Sequence, residues 1–172
     1  MIAIEPELQA LKDNLLDMIN LVINQLSKCK QALEKGDPHF ANQVIENEER
    51  IDTQELAIDK DCESILALYT PVASDLRFVI SSLRISNDLE RIGDNADSLA
   101  RFIKHNIKDV NKKFIQELKL QQMLEVLISM LEDMAKAFKD GEPKLAKQSI
   151  KKDLSVNEIN KKALKISEEL IK

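Results

Sequence analysis

The sequence Asn87-Asp88-Leu89-Glu90-Arg91-Ile92-Gly93-Asp94-Asn95-Ala96-Asp97, within the stretch 71–104, decides how this chain folds. At about 100° per residue, one helical face of the stretch is apolar in its first half and acidic or amide-bearing in its second. That face consists of Leu76, Val79, Ile80, Leu83, Asn87, Glu90, Asp94 and Asp97. A second face stays apolar and consists of Phe78, Ile85, Leu89, Ile92, Ala96, Leu99 and Ile103. The pattern predicts a helix with a core edge and a carboxylate edge.

Composition predicts an all-α protein. The 172 residues are 44% hydrophobic and 32% charged, enough for one ordinary domain or two small bundles. Glycine occurs only 3 times and aromatic residues make up 3%, while Leu, Ile, Lys and Glu are abundant, a bias that favours helices. The net charge of -5 argues against a nucleic-acid partner, which would require a basic face.

Cysteine usage and hydropathy predict a cytoplasmic location. Cys29 and Cys62 form neither a CxxC motif nor a disulfide framework, and each lies on or beside an apolar helical face. Apolar runs such as 21–23 are far shorter than the roughly 20 residues of a membrane span. The first ten residues lack the basic region of a signal peptide. We therefore expect neither a signal peptide nor a membrane span.

Three helices are predicted in the first part of the chain. Apolar residues at three-and-four spacing define each helix, and capping residues, prolines and a glycine separate them. The predicted spans are about Glu5–Lys35, 38–69 and 71–104, with Gly36, Asp37-Pro38 and Thr70-Pro71 at the boundaries.

The helix boundary around Gly36 recurs further along the chain. Residues 36–45 (GDPHFANQVI) match residues 141–150 (GEPKLAKQSI) at an offset of 105 (143 − 38 = 105). The apolar positions upstream match at the same offset, so the sequence predicts a tandem duplication of a three-helix unit. Helices four and five are predicted at about 112–140 and 143–172.

The duplication predicts an all-α, tandem three-helix-bundle fold whose second bundle lacks its third helix in this chain. That helix would begin near position 176 (71 + 105 = 176), beyond Lys172. The predicted division is therefore a first bundle at 1–108 and an incomplete second repeat at 109–172. Either the chain is a fragment or another copy covers the apolar faces left open.

Helix two carries an acidic line of its own. Glu48, Asp52, Glu55 and Asp59 occupy positions i, i+4, i+7 and i+11. The short turn at 70–71 makes helices two and three antiparallel, so the two acidic lines are expected to converge.

Converging carboxylates repel each other unless they are protonated, paired with cations or bound to a metal. Oxygen ligands without histidine favour a hard metal such as Mg²⁺, Mn²⁺ or Fe³⁺. The alternative is a solvated face whose charge is neutralised by Arg50, Lys60, Arg84 and Arg91. In the second copy Asp153 and Asn157 take the places of Glu48 and Asp52, so any metal there should bind more weakly.

Two motifs at this spacing carry a family resemblance. Residues 70–77 (TPVASDLR) and 89–94 (LERIGD), inside a tandem helical repeat, resemble the PhoU family of phosphate-uptake regulators. Members of that family are two related three-helix bundles with a Glu/Asp-x-x-x-Asp motif that can hold metal. Here the motif is matched by Glu48 with Asp52 and by Glu90 with Asp94, while Asn157 replaces the final acid in the second copy.

The resemblance implies a non-enzymatic regulator of phosphate uptake and phosphate-starvation signalling. Its implied partners are the ATPase of a phosphate ABC transporter and a sensor histidine kinase, with peripheral membrane association through the transporter and a homodimeric state. A fused sodium/phosphate cotransporter, of which this domain would be a cytoplasmic tail, is the alternative setting. The implied metal is foremost iron, with manganese, magnesium or zinc as alternatives.

Asp75, Arg77 and Arg91 are candidate partner contacts, although an Asp in a first helical turn also suits the helix dipole. A carboxylate-bridged metal enzyme and a purely structural dimerisation module are the rival functions. The enzyme is disfavoured because the Glu-x-x-His pattern of di-iron bundles is absent. Gly93, in mid-helix, predicts a close approach of helix two.

Overall fold

The computed structural model describes residues 3–106 and 112–171 and confirms the all-α prediction, since these residues form six helices and no strand. No helix in the described part of the chain is long and apolar enough to cross a bilayer. The helices are α1 (Glu5–Lys35), α2 (Pro38–Tyr69), α3 (Ala73–Asn106), α4 (Lys112–Glu117), α5 (Leu120–Asp140) and α6 (Pro143–Ile171).

Helices α1, α2 and α3 pack on one another around a shared core. In α1 the fully buried side chains Leu11, Leu15, Met18 and Val22 recur at three-and-four spacing, as the sequence predicts. Asp37 caps α2 by accepting a hydrogen bond from the His39 backbone N–H at 2.9 Å. The predicted boundaries at Gly36 and Asp37-Pro38 are therefore present in the structure. The third helix, predicted to start at 71, begins instead at Ala73, because Thr70 ends α2 in the left-handed conformation with a φ of 49°.

The core edge of α3 differs from the predicted one. Its buried line consists of Val79, Ser82, Ser86, Leu89, Gly93, Ala96, Ala100 and Ile103. Four of the apolar residues assigned to the core, among them Phe78 and Ile85, are only half-buried. Phe78 instead stacks on Phe138 of α5 with 6.0 Å between ring centroids. All seven predicted residues are therefore either buried or packed against the core, but the most buried line of α3 also runs through small residues, which hydrophobicity patterns overlook and which allow neighbouring helices to approach closely.

The internal duplication is visible in the backbone. Gly36 ends α1 and Gly141 ends α5 in the left-handed conformation, with φ of 65° and 68°. Each glycine N–H bonds to the carbonyl four residues earlier, at Ala32 and Ala137. The α5–α6 hairpin therefore repeats the α1–α2 hairpin.

The predicted continuous fourth helix is broken in two. Lys119 adopts a φ of 54° and separates α4 from α5. In the first copy the corresponding turns of α1 bury Leu11 completely against the bundle. Helical stability comes mostly from packing of this kind. The described residues contain no third helix against which a continuous α4–α5 rod could pack in the second copy.

The second hairpin lies against the first bundle through α5, which packs on α1. Lys30 of α1 forms an ion pair with Glu125 at 2.8 Å across this contact. Large apolar side chains on the outer faces of α5 and α6 are exposed, namely Met134, Ile150, Leu154 and Leu164. The predicted division at residue 108 falls outside the described residues and stays a prediction.

Candidate metal site

The α2–α3 hairpin brings the two acidic lines together. The turn between the helices uses left-handed backbone at Thr70 (φ 49°) and Ala73 (φ 47°), and the helices return antiparallel. At Gly93 an added Cβ would lie 3.0 Å from Cδ1 of Ile51. This close approach explains the mid-helix glycine and places Asp94 beside α2.

Part of the acidic line of α2 occupies core-facing positions. Val44, Ile51 and Ile58 are buried at intervals of seven residues, as in a helical seam. Glu48 and Glu55 lie four residues after Val44 and Ile51, where such a seam ordinarily has its second apolar position. Both glutamates are half-buried, so they are held at the helix interface and are not spread over a solvated face.

Three carboxylates converge closely enough to share one ion. Glu48, Asp52 and Asp94 each offer an oxygen within 4.8 Å of the others. When a metal ion binds oxygen ligands at about 2.0–2.6 Å, two ligand oxygens on opposite sides of the ion lie up to roughly 4–5 Å apart. Glu48 and Asp52 are half-buried and Asp94 is exposed, so the cluster opens to solvent on the α3 side.

Burial and neighbouring carboxylates raise the pKa of two glutamates at this site, Glu48 and Glu90. Burial raises the pKa of Glu48, and the charges of Asp52, Asp97 and Asp94 raise it further. Burial likewise raises the pKa of Glu90, with Asp94, Glu55 and Asp52 adding to the effect. Asp52 of α2 lies in one group with Asp94 of α3, and Glu90 precedes Asp94 by one helical turn, so Glu90 and Asp52 lie on the same side of the bundle. The predicted convergence of the two acidic lines is therefore present in the structure.

Asp97 marks the end of the cluster near Glu48. Its Oδ2 accepts a hydrogen bond from Arg101 Nε at 2.6 Å, and its side chain is only 13% exposed. Its other oxygen, Oδ1, is buried and has no hydrogen-bond partner among the described residues. A buried, unpartnered carboxylate oxygen is costly and would be stabilised by a cation.

Asp59 and Asn87 lie at the opposite end of the acidic lines, away from the three converging carboxylates. Together with Glu55 they line an open groove of about 480 Å³, completed by Leu83, Arg84 and Asp88. Arg84 therefore borders this groove and does not lie across the cluster. These residues belong to the same face, but the structure does not bring them to the Glu48–Asp52–Asp94 group.

The second copy presents no comparable cluster among the described residues. Asp153 and Asn157 are both exposed on α6. Asn157 Nδ2 donates a hydrogen bond to Asp153 Oδ2 at 2.9 Å, so the amide satisfies the carboxylate locally. In the first copy α3 packs alongside the equivalent residues of α2, whereas the described helix packed on α6 is α5.

The candidate partner contacts are spread along α3. Asp75 is half-buried in the first turn and accepts a weak hydrogen bond from Ser74 Oγ at 3.4 Å. Arg77 is exposed. Arg91 is exposed and lies 3.6 Å from Asp88, so its charge is directed away from the cluster. Their role as partner contacts stays a prediction.

The residues present fit a hard cation. The ligand set is all oxygen, a buried carboxylate oxygen of Asp97 beside it has no hydrogen-bond partner among the described residues, and burial together with the neighbouring aspartates raises the pKa of Glu48. Neither His39 nor His105 takes part, since each is engaged within its own helix with Gln43 and Arg101 respectively.

Comparison with known proteins identifies the family. The model of the PhoU domain matches residues 15–103. The chain belongs to the PhoU family. The crystal structure of PhoU from Pseudomonas aeruginosa superposes with a TM-score of 0.86 at 30% identity, over 95% of this chain and 78% of that one. The phosphate transport system regulatory protein PhoU from Streptococcus pneumoniae superposes with a TM-score of 0.80 at 30% identity, over 91% and 73%.

Sequence relatives agree with the structural match. The phosphate-specific transport system accessory protein PhoU homolog of Aquifex aeolicus is 33% identical over 154 residues, which is 89% of this chain and 68% of the relative. A homolog from Thermotoga maritima is 32% identical over 168 residues, covering 98% and 72%. The PhoU-family relatives are accessory or regulatory proteins of phosphate transport by name, and this chain has a role in phosphate transport regulation.

One residue of this face was missed from the sequence. Arg101 was not among the cations considered for neutralising the acidic lines, yet it is the one paired with Asp97. The signal was available, because Asp97 and Arg101 are four residues apart on one helix and such pairs face each other.

Proposed function

We propose that this PhoU-family chain regulates phosphate uptake and phosphate-starvation signalling through a metal-assisted interaction with a phosphate transporter ATPase, a sensor histidine kinase, or both. The observation that carries the proposal is the convergence of Glu48, Asp52 and Asp94 within 4.8 Å of one another. We propose further that the protein acts in the cytoplasm as a homodimer, associates peripherally with the membrane through the transporter, and is not an enzyme.

Three side chains would hold the cation, and the charges of neighbouring carboxylates would affect how tightly it binds. Glu48 and Asp52 approach from α2, and Asp94 approaches from α3. Glu90 and Glu55 add negative charge nearby, as the raised pKa of Glu90 reflects after the effect of burial. A cation bound to both helices would relieve repulsion and tie the middle of α2 to the middle of α3. Iron, manganese and magnesium suit these oxygen ligands, and zinc suits them less well.

The exposed side of the cluster is where a partner would meet the ion. Asp94 is exposed, so a bound cation would keep coordination positions open toward solvent. An oxygen ligand from a partner protein, a carboxylate or a backbone carbonyl, would fill such a position. The metal would thereby contribute directly to the protein–protein contact.

An apolar surface continues this face toward the α2–α3 turn. Leu76 and Ile80 are each 39% exposed, and Leu83 beyond them is half-buried. They share the α3 face that carries Glu90 and Asp94 about two to five turns further on. Apolar contacts of this kind supply affinity in protein interfaces, while polar groups fix the register.

The proposal is tested by titrating chelator-treated protein with Mn²⁺ in a calorimeter. We expect one high-affinity site that weakens by roughly tenfold or more when Asp52→Asn or Asp94→Asn removes a ligand charge. Asp153→Asn, which removes an exposed carboxylate at the repeat-equivalent position of Glu48, is the matched control and should leave the site unchanged.

The proposed interaction with the transporter ATPase or the sensor kinase is tested by a second measurement. Purified transporter ATPase and the cytoplasmic part of the sensor kinase are each tested for binding with Mn²⁺ and with chelator. We expect binding to at least one of them to strengthen with Mn²⁺ in the wild-type protein and not in the Asp52→Asn, Asp94→Asn double variant. Binding that is identical with and without metal would contradict the metal-assisted mechanism and leave only the role in phosphate transport regulation.

A further inference from the structure

The end of the carboxylate cluster near Glu48 contains a cation supplied by the protein itself. Arg101 Nε donates to Asp97 Oδ2 at 2.6 Å, and the Arg101 side chain is 56% exposed. The hydrogen bond and charge of Asp97, and the charge of Glu48, raise the pKa of Arg101. The guanidinium therefore acts on two carboxylates that come from different helices.

The other arginines near this face are engaged elsewhere. Arg91 pairs with Asp88, and both side chains are more than 70% exposed. Arg50 donates to Asn47 Oδ1 at 3.1 Å on the outer side of α2. Arg84 lines the groove at the opposite end of the acidic lines. Arg101 is therefore the arginine placed to act on the Glu48 end of the cluster.

Only one of the two carboxylate oxygens of Asp97 has a hydrogen-bond partner among the described residues. Oδ2 has Arg101, but Oδ1 is buried without a hydrogen-bond partner in the described part of the chain. Cys29 Sγ of α1 donates to the backbone carbonyl of the adjacent Ala96 at 3.3 Å, and the charge of Asp97 raises the pKa of Glu48 of α2, so the carboxylate lies near all three helices. A carboxylate in this position is available to the cluster as soon as Arg101 releases it.

We propose that Arg101 is a counter-ion supplied by the protein itself, which pairs with Asp97 and keeps that carboxylate out of the cluster. Arg101 thereby lowers either the affinity of the cluster for a cation or the number of cations that it binds. This proposal rests on the proposed function only in that the cluster binds a cation. While the arginine is in place, a cation at Glu48, Asp52 and Asp94 faces a like charge at one end of its site. When the arginine is neutralised or moves away, Asp97 joins the ligand set.

The proposal predicts that substituting Arg101 strengthens metal binding. Substitutions beside a binding site ordinarily weaken binding, so this result would be distinctive. Repulsion between a monovalent and a divalent charge a few ångström apart near solvent corresponds to a factor on the order of three to ten in affinity. Arg101→Gln should therefore bind Mn²⁺ about three- to tenfold more tightly, or bind an additional ion. Arg101→Lys keeps the charge and should resemble the wild type.

Two further variants separate this device from a general charge effect. Arg91→Gln removes the same charge from the same helix and should change Mn²⁺ affinity less than twofold, because Arg91 pairs with the exposed Asp88. Asp97→Asn leaves the Arg101 charge uncompensated beside the cluster and should weaken Mn²⁺ binding, and it should abolish the gain when combined with Arg101→Gln. This cycle assigns the gain to the release of Asp97.

The experiment is calorimetric titration of the chelator-treated full chain and these variants with Mn²⁺, with circular dichroism to confirm that each variant is folded. The expected result is the gain in Arg101→Gln and its loss in the double variant. Wild-type binding with no difference between Arg101→Gln and Arg91→Gln would overturn the role of Arg101 and leave the metal site standing. Absence of Mn²⁺ binding in every variant would overturn both.

Discussion

Replacing Gly93 by alanine sets two known effects against each other. Glycine inside a helix is about 1 kcal/mol less favourable than alanine, so helix propensity alone predicts that Gly93→Ala stabilises the protein. The structure predicts the opposite. The new Cβ would lie 3.0 Å from Ile51 Cδ1 and 3.3 Å from Ile51 Cγ2. Ile51 is only 2% exposed and belongs to the core, so its side chain would have to shift by a few tenths of an ångström against its packed neighbours.

The magnitude follows from the balance of the two terms. Inserting a methyl group into a well-packed core costs about 1–3 kcal/mol, which exceeds the gain in helix propensity by roughly 1 kcal/mol. For a protein of this size that loss lowers the melting temperature by about 2–4 °C. Ile51→Val removes the Cδ1 atom that makes the shortest contact. In that background Gly93→Ala should become neutral or stabilising.

The assay is urea denaturation followed by circular dichroism for the wild type, both single variants and the double variant. Ser81→Ala, an exposed position on the same helix, is the control for helix propensity and should be neutral or slightly stabilising. If Gly93→Ala raises stability in the presence of Ile51, the close approach of α2 and α3 is refuted. If the two substitutions are additive, Ile51 is not the opposing group.

Two further predictions concern the cysteines and the second copy. Burial raises the pKa of Cys29 to about 12 and that of Cys62 to about 12. Neither thiol should therefore react with iodoacetamide at pH 8.5 in the native protein, whereas both should react in urea. Mass spectrometry would detect the labelling. Rapid native labelling of either cysteine would contradict the buried placement. Asn157→Asp restores the acidic motif of the second copy. Asp153 and Asn157 are exposed on α6, and no described helix packs on α6 in the way that α3 packs on α2. Calorimetry should therefore detect no additional Mn²⁺ site. A new site in this variant would show that two carboxylates on one helix suffice.

The helices and their repeat follow from the sequence because their signals are local. The Gly36 and Gly141 ends, the Asp37 cap and the apolar spacing of α1 each depend on a few neighbouring residues. The convergence of Glu48 with Asp94 also follows, since a short turn makes consecutive helices antiparallel. These predictions needed no knowledge of the packing in the core.

Features that depend on packing between distant residues could not be predicted in this way. The buried line of α3 passes through Ser82 and Ser86, which only the closeness of neighbouring helices makes suitable for a core. The break at Lys119 carries no glycine or proline signal, and the described residues contain no third helix of the second copy on which this turn could pack. The part played by Arg101 depends on the burial of Asp97, which the sequence does not reveal.

The proposed function depends on one cation site formed by carboxylates from α2 and α3. It is tested most directly by a crystal structure of the protein grown with Mn²⁺, using anomalous scattering at a wavelength near the manganese absorption edge. We expect an anomalous peak enclosed by Glu48, Asp52 and Asp94, with peak height lost in Asp52→Asn crystals. A map with manganese elsewhere on the protein, or with no peak at these three side chains, would contradict it.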